Sequence, residues 1–182
     1  MLKLALIGDS GVGKTNITKR IKGFPFQPHY IPTIAFDYQK IDFLINGEAV
    51  TVNLWDIGGQ KSFYYPRELI LQGLDIGIVV YDVRNVNQSD LDKYNYLIKR
   101  KNSEKTPIIL IGNKVDLITQ KNKENVEKNI EMVSEYCDNQ DLLHVETSAK
   151  NLENFESLES LISQSIQLNS CTTSCTCYLS IN

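Results

Sequence analysis

The segment Gly8-Asp9-Ser10-Gly11-Val12-Gly13-Lys14-Thr15 limits the possible folds of this chain more than any other stretch. It satisfies G-x-x-x-x-G-K-[ST] at every fixed position, after the apolar run Leu2–Ile7 and before helical patterning from about Lys14 to Lys22. The glycines let the backbone curl so that successive N–H groups point inward, forming an anion nest at a helix N-terminus. Lys14 adds a point charge for the β- and γ-phosphates, and the Thr15 hydroxyl is a hard oxygen donor suited to Mg²⁺. With Gly at roughly 7% of residues, a chance match in a chain of this size is an event on the order of one per cent. The motif alone does not choose between ATP and GTP.

Beyond this loop, short apolar runs alternate with helical stretches, the pattern of a mostly parallel sheet flanked by helices. Strands are predicted at Leu2–Ile7, Ala35–Ile45, Val50–Trp55, Ile76–Tyr81, Ile108–Ile111 and Leu142–Val145. Helices are predicted at Lys14–Lys22, from Pro66 to about Gln72, and at Ser89–Lys101, Lys123–Tyr136 and Leu152–Leu168. Pro25, Pro28 and Pro32 make residues 23–34 a loop. Asn46-Gly47 joins the second and third strands as a hairpin, the one antiparallel pair expected. The outcome is a single α/β domain over residues 1–168, with six strands and about five helices. The Ser/Thr/Cys-rich residues 169–182 lack periodicity and are expected to be disordered.

Composition removes several function classes. A chain of 182 residues suits one domain. Its 42% apolar and 23% charged residues are ordinary for a globular protein, and the net charge of −3 argues against a nucleic-acid binder held by phosphate contacts. No apolar stretch approaches the roughly 20 residues a membrane span needs. The four cysteines are not a disulfide framework and fit a reducing, cytoplasmic setting. Cys137 reads as an inert core thiol, while Cys171, Cys175 and Cys177 crowd the tail. His29 reads as an exposed loop residue and His144 lies near a strand end. Neither sits in a catalytic or metal-binding pattern.

Two later segments select the base. Asn113-Lys114-Val115-Asp116 follows the strand Ile108–Ile111, and Thr147-Ser148-Ala149-Lys150 follows the strand ending at Val145. Ligands of open α/β sheets bind outside the carboxyl ends of the strands, where both segments lie. With these residues the chain resembles the Ras-type GTPases over roughly residues 1–168, and the resemblance implies the single P-loop G domain of that family. It also implies that Asp116 accepts hydrogen bonds from guanine N1–H and the exocyclic amino group. A site demanding such bonds discriminates by roughly 10⁴–10⁵. Asn113 would tie the loops together, the Lys114 stem would lie along the base, and the Ala149 N–H would bond the guanine carbonyl. Phe26 matches the aromatic residue packed against the base. Ser10, Gly11, Val12, Gly13, Asn16, Tyr30, Ser148 and Lys150 complete the implied nucleotide pocket.

The resemblance extends to the switches. Pro32-Thr33-Ile34 is similar to the first, in which the threonine hydroxyl reaches Mg²⁺ when the γ-phosphate is present. Asp56-Ile57-Gly58-Gly59 is similar to the second, implying Mg²⁺ held by Thr15, Thr33 and Asp56, and a Gly59 N–H on the γ-phosphate. Gln60 takes the water-orienting position, so Gln60, Lys14 and Thr33 are the expected catalytic set. No arginine matches a built-in finger. Slow intrinsic hydrolysis is therefore expected, with an activating protein, an exchange factor and effectors reading residues of about 26–38 and 57–73.

Gly8-Asp9-Ser10, Ile34-Ala35-Phe36-Asp37-Tyr38, Leu54-Trp55-Asp56 and Val80-Tyr81-Asp82-Val83 resemble the Rab branch, which implies a monomer serving vesicle traffic. Gly58 stands in place of the usual alanine and is expected to loosen the second switch. Cys175-Thr176-Cys177 is similar to the C-x-C end on which Rabs carry two prenyl groups, although Tyr178–Asn182 follow it. Two lipid chains would place the protein on the cytosolic face of an endomembrane, and none would leave it in the cytoplasm. Two other readings are a nucleotide-binding adaptor with little hydrolysis and an ATP-dependent P-loop kinase. Retention of Gln60, Thr33 and Asp56 disfavours the first, and Asp116 disfavours the second.

Overall fold

In a computed structural model, residues 1–60 and 68–175 are described, the last six of these for their backbone alone. Six strands form one sheet: β1 (Leu2–Ile7), β2 (Phe36–Ile45), β3 (Glu48–Ile57), β4 (Ile76–Asp82), β5 (Ile108–Asn113) and β6 (Leu143–Thr147). Their order is β2-β3-β1-β4-β5-β6, with β2 and β3 antiparallel and every other pair parallel. Asn46 and Gly47 both have positive φ, at 52° and 83°. A two-residue hairpin needs such angles to match the strand twist.

Four helices are described, α1 (Lys14–Ile21), α2 (Gln88–Lys101), α3 (Lys123–Gln140) and α4 (Phe155–Cys175), with a helical turn at 68–70 and a 3₁₀ turn at Val115–Leu117. The expected second helix begins outside the described residues. Ile17 of α1 and Phe155, Leu158, Ile162 and Ile166 of α4 cover one sheet face, over Leu4, Leu6, Leu54, Ile78 and Ile109. Leu91, Tyr94 and Leu97 of α2 and Val126, Val133 and Tyr136 of α3 cover the other, over Ala5, Ile7, Val79 and Leu110. Each fully buried Leu or Ile contributes about 1.5–3 kcal/mol relative to exposure. Cys137 lies in the second core, and burial pushes its thiol up to about 12, in keeping with an unreactive core cysteine.

The last helix corrects one expectation. It runs past Leu168 to Cys175, where a structureless tail was expected from residue 169. Asn169 supplies a physical reason, because its Nδ2 donates to the Asp75 carbonyl at 2.8 Å and ties the extension to the sheet. Residues 176–182 lie outside the described residues. No helix among the described residues is long and apolar enough to cross a membrane.

Strand register lines up the ends that matter. Leu6 pairs with Asp56, Asp82 with Asn113, and Asn113 with Thr147. The three loops read from sequence as phosphate- and base-binding therefore leave the sheet at one edge.

Candidate functional site: an open cavity at the carboxyl edge of the sheet

An open cavity of about 780 Å³ occupies that edge. Its lining includes Ser10, Gly11, Gly13, Lys14, Thr15, Asn16, Phe26, Tyr30, Thr33, Asp56, Gly59, Gln60, Asn113, Lys114, Asp116, Ala149 and Lys150. Val12 and Ser148 are the two expected positions outside the lining. The Val12 side chain is buried, and Ser148 is fully covered, beneath the loops they belong to.

The phosphate loop connects β1 to α1. Lys14 is buried, and its Nζ donates to the carbonyls of Gly8 at 3.0 Å and Asp9 at 2.7 Å. Behind the loop, the Tyr94 hydroxyl of α2 donates to the Asp9 carboxylate at 2.6 Å. Above it, the Ser10 and Tyr30 hydroxyls are 2.6 Å apart, which draws the Pro-rich loop over the cavity. Asn16 fixes that loop a second time, exchanging hydrogen bonds with the Gln27 backbone.

Asn113 joins the base-side loops, as expected. Its Nδ2 donates to the Val12 carbonyl at 2.8 Å, and its Oδ1 accepts the Ala149 amide at 3.1 Å. The Ala149 N–H that the resemblance assigns to guanine therefore bonds Asn113 here. Asp116 accepts the Ser148 hydroxyl on Oδ1 at 2.6 Å, while its Oδ2 has Lys150 Nζ at 3.7 Å. The Lys114 ammonium pairs with Asp82 at 3.0 Å.

Three oxygen donors converge beside the phosphate loop. Thr15 Oγ1 donates to Asp56 Oδ2 at 2.5 Å and lies 3.0 Å from Thr33 Oγ1. Burial pushes the Asp56 carboxyl above its ordinary value, against the opposing effects of the Thr15 hydrogen bond and the Lys14 charge. Asp56 Oδ1 is buried without a hydrogen-bond partner among the described residues. A buried carboxylate oxygen of that kind next to two hydroxyls fits a small hard cation such as Mg²⁺.

Gly58 brings the second switch into close contact with the first. Its N–H donates to the Ala35 carbonyl at 2.9 Å, and a Cβ built there would stand 2.6 Å from the Thr33 carbonyl. With the two switch segments this close, any side chain at position 58 would have to push one of them aside.

Sequence reasoning missed Tyr94 and Asp82, which hold the site from outside. Tyr94 carries the apolar spacing of its helix with Leu91 and Leu97, so only the fold reveals its polar contact. His144, given no partner from sequence, has Nε2 2.7 Å from the Tyr81 hydroxyl.

The sequence model of the Ras family matches residues 3–167. The Ypt/Rab-type GTPase ypt7 of Schizosaccharomyces pombe is 34% identical over 162 residues, covering 86% of this chain and 77% of the relative. The Ypt/Rab-type GTPase avaA of Emericella nidulans is 32% identical over 171 residues, covering 91% and 82%. The Ypt/Rab-type GTPase Rab7 of Neurospora crassa is 31% identical over 162 residues, covering 86% and 77%. The chain belongs to the Ras family and, within it, to the Ypt/Rab-type GTPases, GTP-binding switches that hydrolyse the nucleotide they hold.

Proposed function

We propose that this protein is a Mg²⁺-dependent GTP switch of vesicle traffic whose hydrolysis is slow until an activating protein engages it. As a Ras-family member it binds GTP and GDP and works through regulator and effector proteins. The observation that carries the reading is the convergence of Thr15, Thr33 and Asp56 beside the phosphate loop, in a cavity that Asp116 also lines.

In this reading the amides of residues 10–15 and the Lys14 ammonium bind the phosphates. Asp116 Oδ2 accepts from the guanine ring, with its other oxygen fixed by Ser148. Adenine offers no donor there, which disfavours the kinase alternative. Thr15, Thr33 and Asp56 would hold Mg²⁺, which supplies charge neutralisation at the phosphates when bound. Gln60 orients a water in line with the γ-phosphorus. A bond forms from that water oxygen to phosphorus as the bond to the β–γ bridging oxygen breaks, giving GDP and phosphate. Lys14 stabilises the charge that develops. Turnover without an activator is on the order of 10⁻⁴ s⁻¹ for this chemistry.

The switch segments of about 26–38 and 57–73 are the proposed regulator and effector surfaces, and the protein is proposed to act as a monomer. If Cys175 and Cys177 are prenylated, it acts on a cytosolic membrane face. Mass spectrometry of the native C-terminus tests that point. Labelled GDP should bind at micromolar or better affinity with Mg²⁺ and resist displacement by ATP. Displacement by ATP and GTP at similar concentrations removes the guanine assignment. Single-turnover hydrolysis should slow in Gln60→Leu, and equal rates would exclude Gln60 from the mechanism.

A further inference from the structure

Asp82 and Arg84 lie just past the cavity, at the end of β4, and belong to none of its binding motifs. The Asp82 carboxylate accepts the Lys114 ammonium at 3.0 Å. It also accepts Arg84 Nη2 at 2.7 Å, Arg84 Nε at 2.9 Å and the Arg84 amide at 3.0 Å. The segment carrying them is itself braced, since Val83 N–H donates to the Asn113 carbonyl and Asn129 of α3 donates to the Val83 carbonyl. Burial alone would raise the Asp82 carboxyl, but the hydrogen bonds from Arg84 and Lys114 outweigh it and hold it at about 2. Asp82 is thus a fixed negative charge at any working pH.

Lys114 is the residue in need of support. Its backbone has φ of 74°, in the left-handed region that disfavours a Cβ-bearing residue. A lysine side chain also loses rotamer entropy when it is held in one place. The Asp82 pair holds it before any ligand binds, and preorganised contacts lose less on binding. Lys114 lines the cavity, whereas Asp82 and Arg84 do not.

We infer that Asp82 is a positioning residue for the bound nucleotide, clamping Lys114 so that its stem forms one fixed wall of the base pocket. The inference rests on the reading of the cavity as a guanine-nucleotide site. It requires that Asp82 act on the nucleotide solely through Lys114.

Release of fluorescent GDP in the presence of Mg²⁺, measured for the full chain, Asp82→Asn, Lys114→Ala and the double variant, tests it. Asparagine keeps the size of the side chain and an acceptor for the Arg84 amide. Asp82→Asn should speed GDP release about tenfold. On the Lys114→Ala background the same change should add less than twofold, although loss of the charge facing Arg84 still lowers the thermal midpoint there. If Asp82→Asn is recovered unfolded, Asp82→Glu takes its place in the cycle, with a smaller effect and the same dependence on Lys114. Equal acceleration on both backgrounds, or none on either, overturns the inference while leaving the nucleotide assignment standing. Failure of the unaltered chain to hold GDP removes both.

Discussion

Tyr94 and Asp9 bind hydroxyl to carboxylate at 2.6 Å, across 85 positions of sequence. The same Asp9 gives its carbonyl to the Lys14 ammonium at 2.7 Å, so α2 holds the phosphate loop from behind. Tyr94→Phe removes the hydroxyl and keeps the ring in the core. Hydrogen bonds to charged groups contribute about 1.5–3 kcal/mol, so the variant should lose roughly that much stability at most in denaturant titrations. GDP release should quicken about fivefold or more as the loop relaxes. Release at the unaltered rate would show that the Asp9 side chain takes no part in holding nucleotide.

Gly58 yields a prediction in the opposite sense to its sequence. A methyl group there meets the Thr33 carbonyl at 2.6 Å and the Ala35 carbonyl at 3.1 Å, and both are backbone atoms that cannot rotate aside. Gly58→Ala must therefore displace the first switch and carry Thr33 away from Thr15. Misplacement near 1 Å costs about 10²-fold in rate at a reacting centre, so hydrolysis of bound GTP should fall at least about tenfold. Hold on GDP should change far less. A Gly58→Ala protein that hydrolyses GTP normally would show that the close approach has no bearing on catalysis.

The residues legible in the sequence are those whose chemistry tolerates no substitute. The loop 8–15 and the pairing of Asn113 and Asp116 with Ser148 and Ala149 are specified by what phosphates and a base require. The strands were legible too, because apolar runs such as Ile76–Tyr81 fit a sheet covered on both faces. Their ends were not. β3 extends to Glu48 and Ile57 because the hairpin register pairs Ile45 with Glu48 and Phe36 with Ile57. That is a property of two strands together. Tyr94 and Asp82 were illegible for a related reason, since each acts through a partner that only the fold brings near. The close approach at Gly58 was illegible too, because glycine's freedom is visible in a sequence, whereas the space it vacates is not.

The Thr15, Thr33 and Asp56 cluster predicts a metal dependence that can be removed one ligand at a time. Thr15→Asn should weaken both Mg²⁺ and GTP, by at least the 10- to 100-fold that supporting residues of metal sites typically cost. Removal of Mg²⁺ by EDTA should speed GDP release from the unaltered protein. It should do little to Asp56→Asn, which lacks the buried carboxylate. Unchanged GTP affinity in Thr15→Asn, or full EDTA sensitivity in Asp56→Asn, would show that the cation sits elsewhere.

A final prediction concerns pH and lies outside the cavity. His144 on β6 has Nε2 2.7 Å from the Tyr81 hydroxyl and 3.4 Å from Glu146 Oε1. Burial pushes the imidazole below its ordinary value, with the Glu146 charge opposing. Burial also pushes the Tyr81 hydroxyl up, so it stays protonated beside the ring. In the unfolded chain the histidine takes its proton near pH 6.5, and in the folded chain only at lower pH. The unfolded state therefore binds more protons across that window, and stability present above about pH 6.5 is lost as the pH falls. One such group contributes at most about 1.4 kcal/mol per pH unit. Urea unfolding followed from pH 7.5 to 5.5 should show this decline, and His144→Gln, which keeps an acceptor for Tyr81, should reduce its slope. If both proteins lose stability in parallel, the acid sensitivity arises from carboxylates elsewhere, and the Tyr81–His144 pair is pH-indifferent.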